Sequence, residues 1–159
     1  MATWAQFQAS DPDLAAKGEE RIDQTGLILL GTVRSDGFPR ISPVEPVITD
    51  GELYLGMMWQ SKKALDLLRE PRCVVHNTVT DRKGADGEFK VYGRARAVAD
   101  DEDRERYCQA LFAKIDWRPE GDEWHLFAID IAEAVFQQFG DDAGHVVERW
   151  PRPEPAKAG

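Results

Sequence analysis

The sequence predicts a mainly β (α+β) protein, an antiparallel barrel of six or seven strands with short flanking helices, and three observations carry that expectation. Apolar residues alternate with polar ones over strand lengths, most cleanly in residues 88–99. There Phe89, Val91, Gly93, Ala95 and Ala97 face one way and Lys90, Tyr92, Arg94 and Arg96 the other. The apolar runs are joined by tight-turn sequences, Ser35-Asp36-Gly37 and Asp50-Gly51, which favour antiparallel neighbours. Two helix-like segments are inserted among the strands, and closing many short strands into a barrel removes vulnerable edges.

Two helices open the chain. Thr3 is a candidate cap for residues 4–9, and Asp11 followed by Pro12 reads as an N-cap with proline in the first helical position. The second helix is expected to stop near residue 25, before Gly26. Residues 27–34 form a nearly continuous apolar strand, and residues 38–49 return after the first turn. Pro43 and Pro46 forbid a regular ladder in that second strand, so a bulge or a break in pairing is expected. Residues 52–59 follow, with Leu53, Leu55 and Met57 on one face and Tyr54, Gly56 and Met58 on the other. Ser61 is a candidate N-cap for a helix over residues 62–69, with Ala64, Leu65 and Leu68 on its buried side, and Glu70-Pro71 ends it. Residues 72–79 make the next strand, and a charged, glycine-containing loop over 80–87 leads into strand 88–99. Asp100 or Asp101 caps a helix whose apolar stripe is Tyr107, Cys108, Leu111, Phe112 and Ile115. The final strands, 125–139 and 145–150, are joined through residues 140–144. The organisation expected is a helical segment over 1–26, a barrel over 27–150 and a flexible proline-rich tail over 151–159.

Composition narrows the partners. The formal net charge is −9, opposite in sign to the field a general nucleic-acid binder uses for counterion release. No apolar run reaches the ~20 residues that cross a bilayer, and the N-terminus lacks a basic and apolar leader, so no membrane partner is expected. Cys73 and Cys108 sit in apolar surroundings without Cys-x-x-Cys spacing; they read as buried thiols in a reducing, cytoplasmic compartment. Acidic clusters at 100–103, 120–123 and Asp141-Asp142 read as solvated surface, whereas basic residues gather at Lys62-Lys63 and Arg94–Arg96.

Two segments carry candidate chemistry. At Trp59-Gln60-Ser61-Lys62-Lys63 a strand end meets a helix start, and exposed N–H groups, a hydroxyl and two ammonium groups converge, which suits a phosphate. The competing reading is a capped helix with its lysines in solvent. In Arg40-Ile41-Ser42-Pro43-Val44-Glu45-Pro46, prolines free backbone groups for a flat heterocycle; the competing reading is an edge strand blunted by proline. Trp59 and Trp150 adjoin these two segments. His76, His125 and His145 lack metal-ligand spacing, and the sequence holds no nucleophile elbow, dinucleotide fingerprint or phosphate loop. A cofactor is therefore expected to perform any difficult chemistry.

Three stretches together resemble the pyridoxamine-phosphate-oxidase-like split-barrel superfamily. They are the hairpin Gly31-Thr32-Val33-Arg34-Ser35-Asp36-Gly37-Phe38-Pro39-Arg40-Ile41-Ser42-Pro43-Val44, the segment from Ser61-Lys62-Lys63 through Asp66 to Glu70-Pro71-Arg72-Cys73-Val74, and Tyr92-Gly93-Arg94-Ala95-Arg96-Ala97. Asp66 stands where the family usually has asparagine, and the arginine-rich substrate signature of a true pyridoxamine phosphate oxidase is missing near the C-terminus. The resemblance implies a homodimer with a cofactor in each interface groove, flavin mononucleotide (FMN) or the deazaflavin coenzyme F-420, with haem binding or lost catalysis in a few members. It places Ser61, Lys62 and Lys63 on the phosphate, and Ile41, Ser42, Pro43, Val44, Met57, Met58 and Trp59 around the ring, with Arg40 also among the cofactor-binding candidates. The function implied is hydride transfer to or from a small conjugated or heteroaromatic substrate.

Overall fold

Three of the helix starts described are written by side chains that satisfy otherwise orphaned N–H groups. The computed structural model describes residues 1–140 and 144–151, so Asp141-Asp142 and the tail from residue 152 lie outside the described residues. In α1 (Trp4–Ser10), the Thr3 hydroxyl accepts from the Gln6 N–H at 3.2 Å, and the Gln6 side chain accepts from the Thr3 N–H at 2.9 Å, a reciprocal capping box. In α2 (Pro12–Asp23), the Asp11 carboxylate accepts from the Leu14 N–H, with Pro12 in the first turn.

The strands are β1 (Ile28–Val33), β2 (Pro39–Val44), β3 (Pro46–Thr49), β4 (Glu52–Met58), β5 (Arg72–Asn77), β6 (Glu88–Ala97), β7 (Trp124–Gly140) and β8 (Gly144–Trp150). Between β4 and β5 lies α3 (Lys62–Arg69), and between β6 and β7 lies α4 (Asp101–Ile115). All pairings are antiparallel, in the order β2-β1-β5-β6-β7-β4-β3, with β8 added on β7. The Asp50-Gly51 turn places both residues at positive φ, 49° and 76°, as a two-residue hairpin requires.

Among the described residues the strand number is eight rather than six or seven, because the run over 38–49 divides. β2 pairs only with β1 and β3 only with β4, and Glu45 alone joins them. Proline has no N–H to donate to a ladder, and Pro43 and Pro46 flank that crossing point. The two ends of the sheet path are thus consecutive in the chain. The barrel closes through a covalent seam instead of a row of hydrogen bonds.

Strand alternation sorts the side chains into two cores. Leu53, Leu55 and Met57 of β4 point inward with Ile28, Leu30, Phe89, Val91 and Phe127, and Trp4, Phe7, Leu14 and Ile22 of the first helices complete this core. Tyr54 points outward into a second core with Tyr107, Cys108, Leu111, Trp124 and Leu126, so α4 covers the outer face of β4 and β7. The Asp100 carboxylate caps α4 by accepting from the Glu102 and Asp103 N–H groups. Phe112 and Ile115, expected on the buried stripe, are exposed, because the covered arc of α4 is only wide enough for Tyr107, Cys108 and Leu111.

The buried side of α3 also differs from the expectation. Ala64 and Leu67 are buried, whereas Leu65 and Leu68 face solvent. The rotation has a polar cause. Asp66, with its side chain 5% exposed, accepts from the Thr32 hydroxyl at 2.9 Å, from Arg40 Nε at 2.6 Å and from Arg69 at 3.5 Å. Arg69 also donates to the Val33 carbonyl. One carboxylate therefore ties α3 to β1 and β2, and Leu65 is turned outward by that anchor.

Burial alone would raise the Asp66 pKa, but hydrogen bonds from Arg40 and Thr32 outweigh it and hold the group below the usual carboxylate range. A depressed folded value means that Asp66 contributes stability above its unfolded pKa of about 3.9, lost as pH falls through the folded value. Breaking a buried ion pair from one side costs about 3–5 kcal/mol, and the partial exposure of Arg40 lowers the expectation for Asp66→Ala to about 2–3 kcal/mol. Urea unfolding at pH 7 checks this, and the gap between wild type and variant should narrow as the pH falls through the folded value, which lies below the unfolded one. A midpoint unchanged at pH 7 would show that Asp66 is no anchor.

Candidate functional site

A cleft of about 510 Å³ opens at the barrel seam. Pro43, Val44 and Glu45 form one wall, and Gly56, Met57, Met58 and Trp59, at the end of β4, form another. Lys63 of α3 and Tyr107 of α4 contribute from the two inserted helices, and Trp117, Pro119, Glu120, Glu123 and Trp124 close it from the segment after α4. The volume lies within the ~300–1,000 Å³ usual for small-molecule sites.

Aromatic packing makes the α4 wall rigid. Tyr107 stacks on Trp124 with centroids 5.7 Å apart and meets Tyr54 edge-on at 6.1 Å. The Trp124 indole N–H donates to the Gly121 carbonyl at 3.0 Å, and the Arg104 guanidinium lies 3.8 Å over its ring. Glycine is required at position 56, because a Cβ there would lie 2.1 Å from the Tyr107 hydroxyl oxygen. Burial raises the Tyr107 pKa, reinforced by Cys108 and Glu45, so its hydroxyl stays neutral.

The β4-to-α3 turn is held by one histidine. Trp59 stacks on His125 with centroids 4.6 Å apart and planes 10° from parallel. Gln60 adopts a left-handed φ of 56° and donates its backbone N–H to His125 Nε2 at 3.3 Å. An accepting Nε2 is unprotonated, so the neutral ring carries its proton on Nδ1. Burial, with the Arg104 charge second, lowers the His125 pKa.

Ser61 occupies the cap position of α3, but its hydroxyl makes no capping bond. That oxygen is buried and has no hydrogen-bond partner among the described residues. The first turn of α3 is thus uncapped, unlike those of α1, α2 and α4. Among the described residues neither Lys62 nor Lys63 enters a salt bridge; Lys62 is exposed and Lys63 half-buried.

The cleft brings together Pro43, Val44, Met57, Met58, Trp59 and Lys63 from the sequence-derived set. Arg40, Ile41, Ser42, Ser61 and Lys62 do not line it. Arg40 is engaged by Asp66, Ile41 is 71% exposed on the outer face of β2, and Ser42 pairs with Leu30 on the inner face. Trp150 is remote: it packs on Phe7 at 5.2 Å and donates to the Ser10 hydroxyl at 2.9 Å. Sequence reasoning missed Tyr107, Trp117, Trp124, Glu120 and Glu123 as site residues. Trp117 in a polar loop was the available signal, since such a ring outside a strand or helix needs a surface to lie on.

Residues 14–138 match the sequence profile of the Pyridoxamine 5'-phosphate oxidase family. No curated protein sequence matches the chain. Among solved structures, a conserved hypothetical protein of Mycobacterium tuberculosis is similar at TM-score 0.65 and 19% identity, over 75% of this chain and 81% of its own. General Stress Protein 26 of Bacillus anthracis is similar at TM-score 0.60 and 24% identity, over 76% of this chain and 91% of its own. A heme binding protein of Mycobacterium smegmatis is similar at TM-score 0.62 and 16% identity, over 84% of this chain and 57% of its own. At these identities the likeness is one of fold.

The His125 contacts give a pH prediction. Its folded pKa lies below the unfolded value of about 6.5, so its contribution to stability is whole above that pH and is lost as pH falls through the folded value. Imidazole NMR should show His125 protonated on Nδ1 at neutral pH and titrating below 6.5. Between pH 7.5 and 5, the urea midpoint of wild type should fall further than that of His125→Phe, which keeps a ring to stack but takes up no proton. Titration above 6.5 would contradict the acceptor role.

Proposed function

The chain belongs to the pyridoxamine 5'-phosphate oxidase family, and from that premise we propose that it holds FMN in the seam cleft and acts as an oxidoreductase on a small conjugated or heteroaromatic substrate. One observation carries the reading: beside an aromatic-walled cleft, the first turn of α3 offers uncapped N–H groups, a buried Ser61 hydroxyl without a partner, and two unpaired lysines. A phosphate supplies the acceptors that these donors lack. Lys63 reaches the cleft, Lys62 adds charge from outside it, and Ser61 gains its missing hydrogen bond.

When bound, the flavin supplies two-electron hydride chemistry. The chain supplies the rest. Pro43, Val44 and Met57 present apolar surface to a ring, and Trp59 offers the face not covered by His125. Tyr107 and Trp124 exclude water from the α4 side, and the Asp66–Arg40 pair fixes β2 relative to α3, so the ring wall and the phosphate end keep their spacing. FMN is favoured over coenzyme F-420, because Glu45, Glu120 and Glu123 repel a polyglutamate tail at the cleft mouth.

The family premise and the outer sheet face support a homodimer. Leu29, Ile41 and Tyr92 are exposed there, and the register puts Pro43 and Val74 on the same face. Light scattering should give twice the 17.9 kDa chain mass at micromolar concentration, and the monomer mass would exclude that arrangement.

The cofactor reading is tested at Lys63. Charge-assisted hydrogen bonds contribute about 1.5–3 kcal/mol, so Lys63→Ala should weaken FMN binding by about 10- to 150-fold. Lys63→Glu should weaken it further, while riboflavin, which lacks the phosphate, should bind all three proteins alike. Fluorescence titration with both flavins measures this. Equal FMN affinities would remove Lys63 from the site.

A further inference from the structure

The charges around the seam cleft are unevenly disposed. Among the described residues, Glu45, Glu120 and Glu123 line it against a single lysine, Lys63. Among the described residues, none of these three carboxylates enters a salt bridge, whereas other surface carboxylates do: Glu105 with Arg118, Asp103 with Arg106, Asp23 with Lys114, Glu133 with Arg149. The nearby cations are committed elsewhere. Arg118 lies between the lining residues Trp117 and Pro119, yet its guanidinium makes two bonds to Glu105, at 2.7 and 3.2 Å. Arg104 is spent on the ring of Trp124. If Lys63 meets a phosphate, the charged side chains left in the lining, Glu45, Glu120 and Glu123, are all acidic.

The aromatic walls complement those carboxylates. Trp59 is 50% and Trp117 55% exposed, so each leaves ring surface at the cleft for a ligand. The negative face of an indole attracts a cation, and carboxylates beside it add to the attraction. From this juxtaposition of unpaired Glu45, Glu120 and Glu123 with the open rings of Trp59 and Trp117, we infer that the substrate taken by this cleft is a cationic aromatic compound, an arylalkylamine or an N-protonated heteroaromatic base. An anionic substrate, such as a phosphate ester, is repelled from the same mouth. The inference rests on reading this cleft as the ligand site, but not on the identity of the cofactor.

A charge series on one aromatic frame tests it: 1-naphthylmethylammonium, 1-naphthalenemethanol and 1-naphthoate, titrated by calorimetry into the protein both without and with saturating FMN. With each exposed pair expected to contribute about 0.2–1 kcal/mol, the ammonium should bind ~10-fold more tightly than the alcohol and the carboxylate most weakly. Raising the salt to 0.5 M should narrow the spread. In the Glu120→Gln/Glu123→Gln variant, shown by circular dichroism to be folded, the ammonium should lose about 3- to 10-fold while the alcohol is unaffected. The inference is overturned if the alcohol or the carboxylate matches the ammonium, if the variant retains the full preference, or if the ammonium fails to bind at millimolar concentration. A protein that ignores FMN yet ranks the series as expected would remove the flavin reading and leave this one standing.

Discussion

Pro43 and Pro46 carry no amide hydrogen, and around them the chain has to leave one ladder before it enters the next. That constraint organises the molecule. It puts β2 and β3 at opposite ends of a single sheet path, joins them by one residue, and leaves a seam where other small barrels have hydrogen bonds. A seam in a barrel is the natural place for a cleft, because the residues on its two sides do not compete for the same partners. Glu45, the residue at the crossing, lines the cleft that results.

Two polar devices keep the seam in shape from opposite sides. Asp66 draws Thr32, Arg40 and Arg69 together and so binds α3 to the β1–β2 hairpin. His125 accepts from the Gln60 N–H and supports the Trp59 ring, fixing the turn that leads into α3. Gln60 is held in a left-handed conformation, which costs a non-glycine residue about 1–3 kcal/mol and persists where neighbours determine it. Both devices act on the short segment that carries Ser61, Lys62 and Lys63. The uncapped start of α3 is thereby held in place while its hydrogen-bonding capacity stays open.

The cleft has two ends of opposite character: a basic, donor-rich end at α3 and an acidic, indole-lined end at the segment after α4. On the proposed reading this polarity would suit an anionic cofactor group and a cationic substrate in one groove, and the net charge of −9 does not conflict with a local phosphate site. The outer face of β2 and β1, with Leu29, Ile41 and Pro43, adjoins the same seam, so assembly through that face would shape the groove further.

Local chemistry in the sequence determined the elements. Thr3, Asp11 and Asp100 cap helices where the sequence places them, turns fall at Gly37 and Asp50-Gly51, and alternation in β4 and β6 sorts inward from outward side chains. These signals act between residues a few positions apart, so they are visible without a fold. The proline pair likewise announced a break in pairing, though not that the break would be the barrel seam. Tertiary structure decided what depends on distant partners. Leu65 and Leu68 lie outside because Asp66 has three partners from 3 to 34 residues away, a pull that apolar periodicity cannot register. Ser61 sits in a cap position without capping, and Arg40 is diverted from the cleft to Asp66. Tyr107, Trp117, Trp124, Glu120 and Glu123 reach the cleft only because α4 packs across β4 and β7, which brings residues 49 to 66 positions downstream against the end of β4.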